Sequence, residues 1–146
     1  MKSTRRAGFT LIELMVVIAI IALATAGVTV AMRDPAETNL EREAQRLSAL
    51  LESARARSRA SGIVVRWRAV EGGFRFDGLP RDALPNRWLQ PTTQANPGAT
   101  LVLGPEPIIG AQAVVLYAAG RADRPLTVAT DGLRPFAVLS SLGAPL

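Results

Sequence analysis

The sequence predicts an α+β protein: a long amino-terminal helix, first apolar and then amphipathic, followed by a globular domain of antiparallel β-structure in one sheet or two. Three observations predict it. An uncharged apolar run extends from Leu14 to Met32. Beyond it, Leu40, Ala44, Leu47, Leu51 and Ala54 recur at helical spacing, with Leu50 beside them. After Gly62 the period shortens to that of a strand, and Ile63, Val65 and Trp67 alternate with Val64, Arg66 and Arg68.

The first element runs from Phe9 to about Arg33. Phe9 to Met32 makes roughly 36 Å of helix at 1.5 Å per residue, enough to cross a hydrocarbon core, which needs about 20 apolar residues. An ordinary secretory signal has an apolar core of only about 7–15 residues and ends at a small-residue cleavage site. The basic residues Lys2, Arg5 and Arg6 precede the run, which predicts a cytoplasmic amino terminus and a translocated remainder. One acid, Glu13, sits at the start of this segment. A carboxylate there costs about 2.5–3.5 kcal/mol on insertion scales, so it needs a partner.

Arg33-Asp34-Pro35 marks the exit from the apolar segment, and Pro35 removes a backbone donor and interrupts or kinks the helix. Residues 34–62 then form the amphipathic part. Its apolar stripe must lie on something, while Glu41, Arg42, Arg46 and Glu52 fall largely on other faces. Gly62 suits a carboxyl-terminal cap, and Arg55, Arg57 and Arg59 suit the negative end of the helix dipole.

Residues 63–146 form the β-rich part. Glu71-Gly72-Gly73 turns the chain and Phe74-Arg75-Phe76 returns, which is a β-hairpin with Trp67 and Phe74 as a core pair. Asp77 to Gly98 carries Pro80, Pro85, Pro91 and Pro97 and is expected to be a long loop. Thr100–Leu103, Ala113–Tyr117, Leu126–Ala129 and Phe136–Leu139 are the later strand candidates, with turns at Gly120 and Asp131-Gly132. The sheet is expected to pack on the stripe of the second half of the helix.

Arg5-Arg6-Ala7-Gly8-Phe9-Thr10-Leu11-Ile12-Glu13 leading into the apolar run resembles the class III signal of type IV prepilins and type II secretion pseudopilins. The resemblance implies a leader of residues 1–8, cleavage after Gly8 by a prepilin peptidase/N-methyltransferase, and methylation of the new amino terminus at Phe9. It makes Glu13 the fifth residue of the mature chain and the assembly acid. Within that family, Glu43 to Arg55, the Gly62–Phe76 hairpin and Val115–Arg121 resemble minor pseudopilins of the H type, although Ala118-Ala119 stands where that type often has Pro-Asp. The implied fold is pilin-like. The implied partners are other major and minor pseudopilins and the inner-membrane secretion platform. The implied location is the bacterial inner membrane, single-pass, with the carboxyl-terminal domain in the periplasm.

Composition narrows the function classes. The formal net charge is +5, but with Lys2, Arg5 and Arg6 in the leader, 14 basic residues face 12 acidic ones. A related minor pilin of a type IV or DNA-uptake pilus is the alternative, and a DNA-binding version should carry a basic carboxyl-terminal region. Here Pro135 to Leu146 is uncharged, which disfavours nucleic acid. There is no histidine and no cysteine, so the commonest general base, the thiolate nucleophile and the commonest metal ligands are missing. No enzyme, no metal and no cofactor is expected.

Two surface features remain. Arg55, Arg57, Arg59, Arg66 and Arg68 read better as a solvated or partner-facing surface than as a phosphate site. In the long loop, Trp88 with Arg81 and Arg87 is the candidate partner contact, because tryptophan and arginine dominate interface hot spots. Packing of Trp88 onto its own domain is the competing explanation.

Overall fold

The computed structural model of the protein describes residues 10–31 and 35–139, with backbone alone over 26–31. The chain divides into two compact units, Met1–Asp34 and Pro35–Leu146. The leader, Phe9 and residues 140–146 lie outside the described residues.

The first unit holds α1 (Leu11–Ala31). Every described side chain from Leu11 to Thr25 is exposed, and Leu11 and Leu23 are each 75 % exposed. A helix that is apolar all round has no polar face to present to water. Thr25 Oγ1 donates back to the Ile21 carbonyl at 2.8 Å, so its hydroxyl is satisfied within the helix. The expected membrane span over 9–33 reaches past the described residues at both ends. Among the described residues no helix is long and apolar enough to cross a membrane. The described side chains of α1 end at Thr25 and cover ~22 Å, short of the ~30 Å hydrocarbon core. The ends of the expected span, Phe9, Met32 and Arg33, lie outside the described residues.

The second unit starts with α2 (Pro35–Ser61). Pro35 is its first residue, a position where the missing N–H is no loss. Glu37 sits in the first turn, on the positive end of the dipole. The helix stops at Gly62, whose φ is +69° and whose N–H donates to the Ser58 carbonyl at 2.9 Å. The stripe is buried throughout: Leu40, Ala44, Leu47, Leu51 and Ala54 are all at most 4 % exposed. Burying each leucine stabilises by about 1.5–3 kcal/mol.

Seven strands follow: β1 (Arg66–Val70), β2 (Gly73–Asp77), β3 (Thr93–Ala95), β4 (Thr100–Val102), β5 (Gln112–Ala118), β6 (Arg121–Thr130) and β7 (Ala137–Leu139). They make two antiparallel sheets, β2-β1-β4 and β3-β5-β6-β7. The first contains the hairpin, with Val70 opposite Gly73. Trp67 and Phe74 are buried from it with ring centroids 6.0 Å apart. The second lies under α2, which packs on β5, β6 and β7. Val114, Val128 and Val138 form a cross-strand row on its buried face. Gln112 joins the two sheets. Its Oε1 accepts the Val102 N–H at 2.6 Å and its Nε2 donates to the Val102 carbonyl at 2.8 Å. The side-chain amide thus occupies the outer edge of β4 as a neighbouring strand would.

The structure differs from the sequence expectation in two strands. β3 lies inside the stretch expected to be a loop; it is three residues long between Pro91 and Pro97, too short to show a period. β6 begins at Arg121, well before Leu126, and contains Pro125. A proline donates no ladder bond. None is required there, because β7 pairs only with Thr127, Val128 and Ala129 and the β5 register shifts between Leu116 and Ala118.

Candidate functional site

The amino-terminal site begins with a helix cap. Thr10 Oγ1 accepts from the Glu13 N–H at 3.4 Å, and the Thr10 carbonyl accepts from the Leu14 N–H at 3.2 Å. Thr10-Leu11-Ile12-Glu13 is a Thr-x-x-Glu capping sequence, which reasoning about Glu13 as an isolated acid misses. Glu13 lies in the first turn of α1, where the dipole favours an anion. It is exposed. Gly8 and Phe9 lie outside the described residues.

In the second unit, α2 holds the loops through polar side chains. Glu43 is 1 % exposed. Its Oε2 accepts the Leu89 N–H at 2.6 Å, and its Oε1 pairs with Arg46 at 2.8 Å. Arg46 also donates to the Arg87 carbonyl at 3.0 Å. A buried carboxylate requires such pairing, and here it ties residues 87–89 to the helix. From the other side, the Phe74 N–H donates to the Asn86 carbonyl at 3.0 Å.

This clamp sets Trp88 on Phe74, with ring centroids 4.7 Å apart. Trp88 is half-buried and shares a cleft with Tyr117 and Ala95. Arg81 and Arg87 have exposed side chains and line a different groove, beside β2. The structure therefore brings Arg81 and Arg87 together and separates them from Trp88.

A second clamp holds the carboxyl-terminal strand. Ser48 Oγ donates to the Phe136 carbonyl at 2.5 Å, and Glu52 Oε1 accepts the Phe136 N–H at 2.9 Å. Arg55 Nη2 donates to the Pro107 carbonyl at 3.0 Å and the Gly132 carbonyl at 3.2 Å. Arg55 is only 4 % exposed. This corrects its assignment to a solvated arginine surface, because three acceptors, the third being Glu52 at 3.6 Å, draw it inward. Arg57, Arg59, Arg66 and Arg68 are exposed, on α2 and on β1, and Arg68 pairs with Asp77 at 2.7 Å.

Gly132 reaches Arg55 through a turn closed by Asp131. Asp131 Oδ1 accepts the N–H groups of Leu133 and Arg134, and its Oδ2 accepts Arg134 Nε. The Arg134 N–H, the Arg134 side chain and the Leu133 N–H lower its pKa from the ordinary 3.8 to about 2. The lowered value means that Asp131 supports folding fully above its unfolded pKa and loses that support as pH falls through the folded one. Thermal melts should therefore show a decline between about pH 4 and pH 2 that Asp131→Asn partly removes. Equal slopes in the two proteins would show that the turn does not titrate this way. Asp131 is thereby committed to its own backbone. Among the described residues, no cluster of three or more metal-ligating side chains occurs.

Residues 3–29 match the family described as the prokaryotic N-terminal methylation motif. The amino terminus is prepilin-like. The motif spans Gly8, Phe9, the Thr10 cap and Glu13, and supports a type IV pilin-like protein or pseudopilin. The α+β order of the chain, a helix followed by two antiparallel sheets, is consistent with a pilin-like fold. The motif implies processing by a prepilin peptidase, assembly with other pilin-like subunits and a membrane-anchored amino terminus. No curated protein and no solved structure matches the chain significantly.

Proposed function

We propose that the protein is a minor pseudopilin of a type II secretion system, of the H type, that assembles at or near the tip of a periplasmic pseudopilus. The methylation motif over residues 3–29 carries this reading. Phe9–Met32 inserts the precursor in the bacterial inner membrane. The peptidase cuts after Gly8 and methylates Phe9. The amine so formed pairs with Glu13 of a neighbouring subunit, and the β domain stands in the periplasm for contacts with other pseudopilins. The role is architectural rather than catalytic, in keeping with a sequence that lacks histidine and cysteine. The resemblance of Glu43–Arg55, Gly62–Phe76 and Val115–Arg121 to the H type supports the narrower assignment.

The processing step has a direct test. Gly8→Val places a branched side chain where the peptidase needs close backbone approach. Intact-mass analysis of membrane extracts should find only precursor in the variant, against a methylated chain beginning at Phe9 in the parent. A mature mass in the variant would sink the assignment. A gene deletion then separates this reading from a minor pilin of a type IV or DNA-uptake pilus: retained exoprotein favours the first, lost pili or lost transformation the second.

A further inference from the structure

We propose that the groove beside β2 binds an extended acidic segment of a partner protein. The inference deepens the proposed function by giving the β domain a partner chemistry, and it rests on that reading only for where the partner is met.

The groove has a volume of about 520 Å³ and lies between β2 and the stretch of chain from Leu79 to Arg87. Arg75, Arg81 and Arg87 line it, and all three are exposed. None of them forms a side-chain ion pair among the described residues. Two acids also line it, Glu71 and Asp77, but Asp77 is already paired with Arg68 at 2.7 Å. The groove therefore presents a cationic excess that its own walls do not neutralise. Planar guanidinium groups meet carboxylates with two parallel hydrogen bonds.

The second observation is an open strand edge. β2 is at the border of its sheet. The Phe74 N–H points away from β1, since it donates to Asn86. The Ala69 N–H, opposite Phe74 in register, points the other way, to the Ala99 carbonyl. Ladder polarity alternates along a strand, so Phe76, two residues on, also turns its N–H and C=O outward. The loop follows β2 only as far as the Gly73–Arg87 bridge and then diverges, leaving the Phe76 backbone facing the groove. Such an edge accepts an added strand. Phe76, Leu79 and Leu84 are half-buried beside it and supply apolar contact for alternate side chains of the incoming segment.

A nucleic acid fits less well, because it brings no peptide backbone to pair with the strand edge. A second copy of the chain fits less well too, since the chain is itself net basic.

The test uses the full chain in nonionic detergent and a fluorescent twelve-residue peptide of alternating Glu and Val. Anisotropy should report saturable binding that weakens with salt, and the Phe76 amide should gain hydrogen-exchange protection. Changing Arg75, Arg81 and Arg87 together to Gln should weaken binding at least about tenfold, with an unchanged circular dichroism spectrum. Arg57→Gln with Arg59→Gln, also exposed but on α2, should leave binding as it was. Equal loss in both variants, no Phe76 protection, or tighter binding of a single-stranded oligonucleotide than of the peptide would each overturn the proposal. Because binding is read in vitro on uncleaved chain, its failure is distinct from failure of processing at Gly8.

Discussion

Arg55→Ala should be among the most destabilising single changes in the second unit, and Arg57→Ala should do almost nothing. The two residues are two positions apart on α2 and so lie on different faces of it. Arg55 is 4 % exposed and holds two loop carbonyls, Pro107 and Gly132, that approach α2 from separate parts of the chain. Removing the guanidinium leaves the buried Gly132 carbonyl without that donor, whereas Pro107 is an exposed residue whose carbonyl can turn to water. At about 1–3 kcal/mol for the unsatisfied buried carbonyl, with the packing of the lost side-chain stem added, the loss should be about 2–4 kcal/mol. Glu52 retains its bond to the Phe136 N–H, so the damage should centre on residues 105–110 and 131–134. Arg57 is exposed, and its truncation should stay within about 0.5 kcal/mol. Urea unfolding of the two variants, followed by tryptophan fluorescence, measures the difference. Similar midpoints would mean that the carbonyls find other donors and that Arg55 is not the clamp described.

The second large effect is expected from Glu13→Ala. On the proposed function, cleavage after Gly8 creates a cation at Phe9, and a neighbour's Glu13 neutralises it inside a shared apolar bundle. Stripping one partner from a buried pair costs about 3–5 kcal/mol, or about two to four decades in the association constant. The cap argues for a smaller local effect. Glu13 loses only its interaction with the helix dipole, worth about 0.3–1 kcal/mol, and Thr10 Oγ1 keeps its bond to the backbone N–H of residue 13. The variant should thus be cleaved normally, remain helical, and fail to cross-link into filaments. Because the chain has no cysteine, engineered cysteines in α1 can report that cross-linking without background. Normal cross-linking and normal export by Glu13→Ala would exclude the pairing role.

These two residues differ in how far the sequence reveals them. Glu13 stands out because it is an acid in an apolar run, a contrast visible within a few positions. The stripe Leu40, Ala44, Leu47, Leu51 and Ala54 is visible for the same reason: a helix repeats its buried face every three or four residues whatever packs against it. The β1–β2 hairpin is legible through its alternation and its Gly72-Gly73 turn. β3 is not, because three residues between prolines carry no period, and its pairing with β5 is supplied by residues more than twenty positions away. The amino-terminal half of β6 is hidden by Pro125, which reads as a breaker until the register shift opposite it is known.

The polar residues of α2 show the boundary most sharply. By sequence, Glu43, Ser48, Glu52 and Arg55 are polar positions beside the apolar stripe with no partner in view. In the fold they bind Leu89, Phe136, Pro107 and Gly132. Arg81 and Arg87 were legible as a pair with Trp88 by proximity alone, yet the Glu43 clamp turns Trp88 onto Phe74 and leaves the arginines with Arg75 in another groove.

The sequence by itself determined the prepilin-like amino terminus, the two helical segments and the switch to β-structure, because each depends on chemistry or periodicity within a short window. Only the tertiary structure decided which polar groups are buried and which surface is open. A side chain's partner there is a loop carbonyl or amide dozens of residues distant, and no local pattern encodes which backbone will come to lie above a given turn of helix.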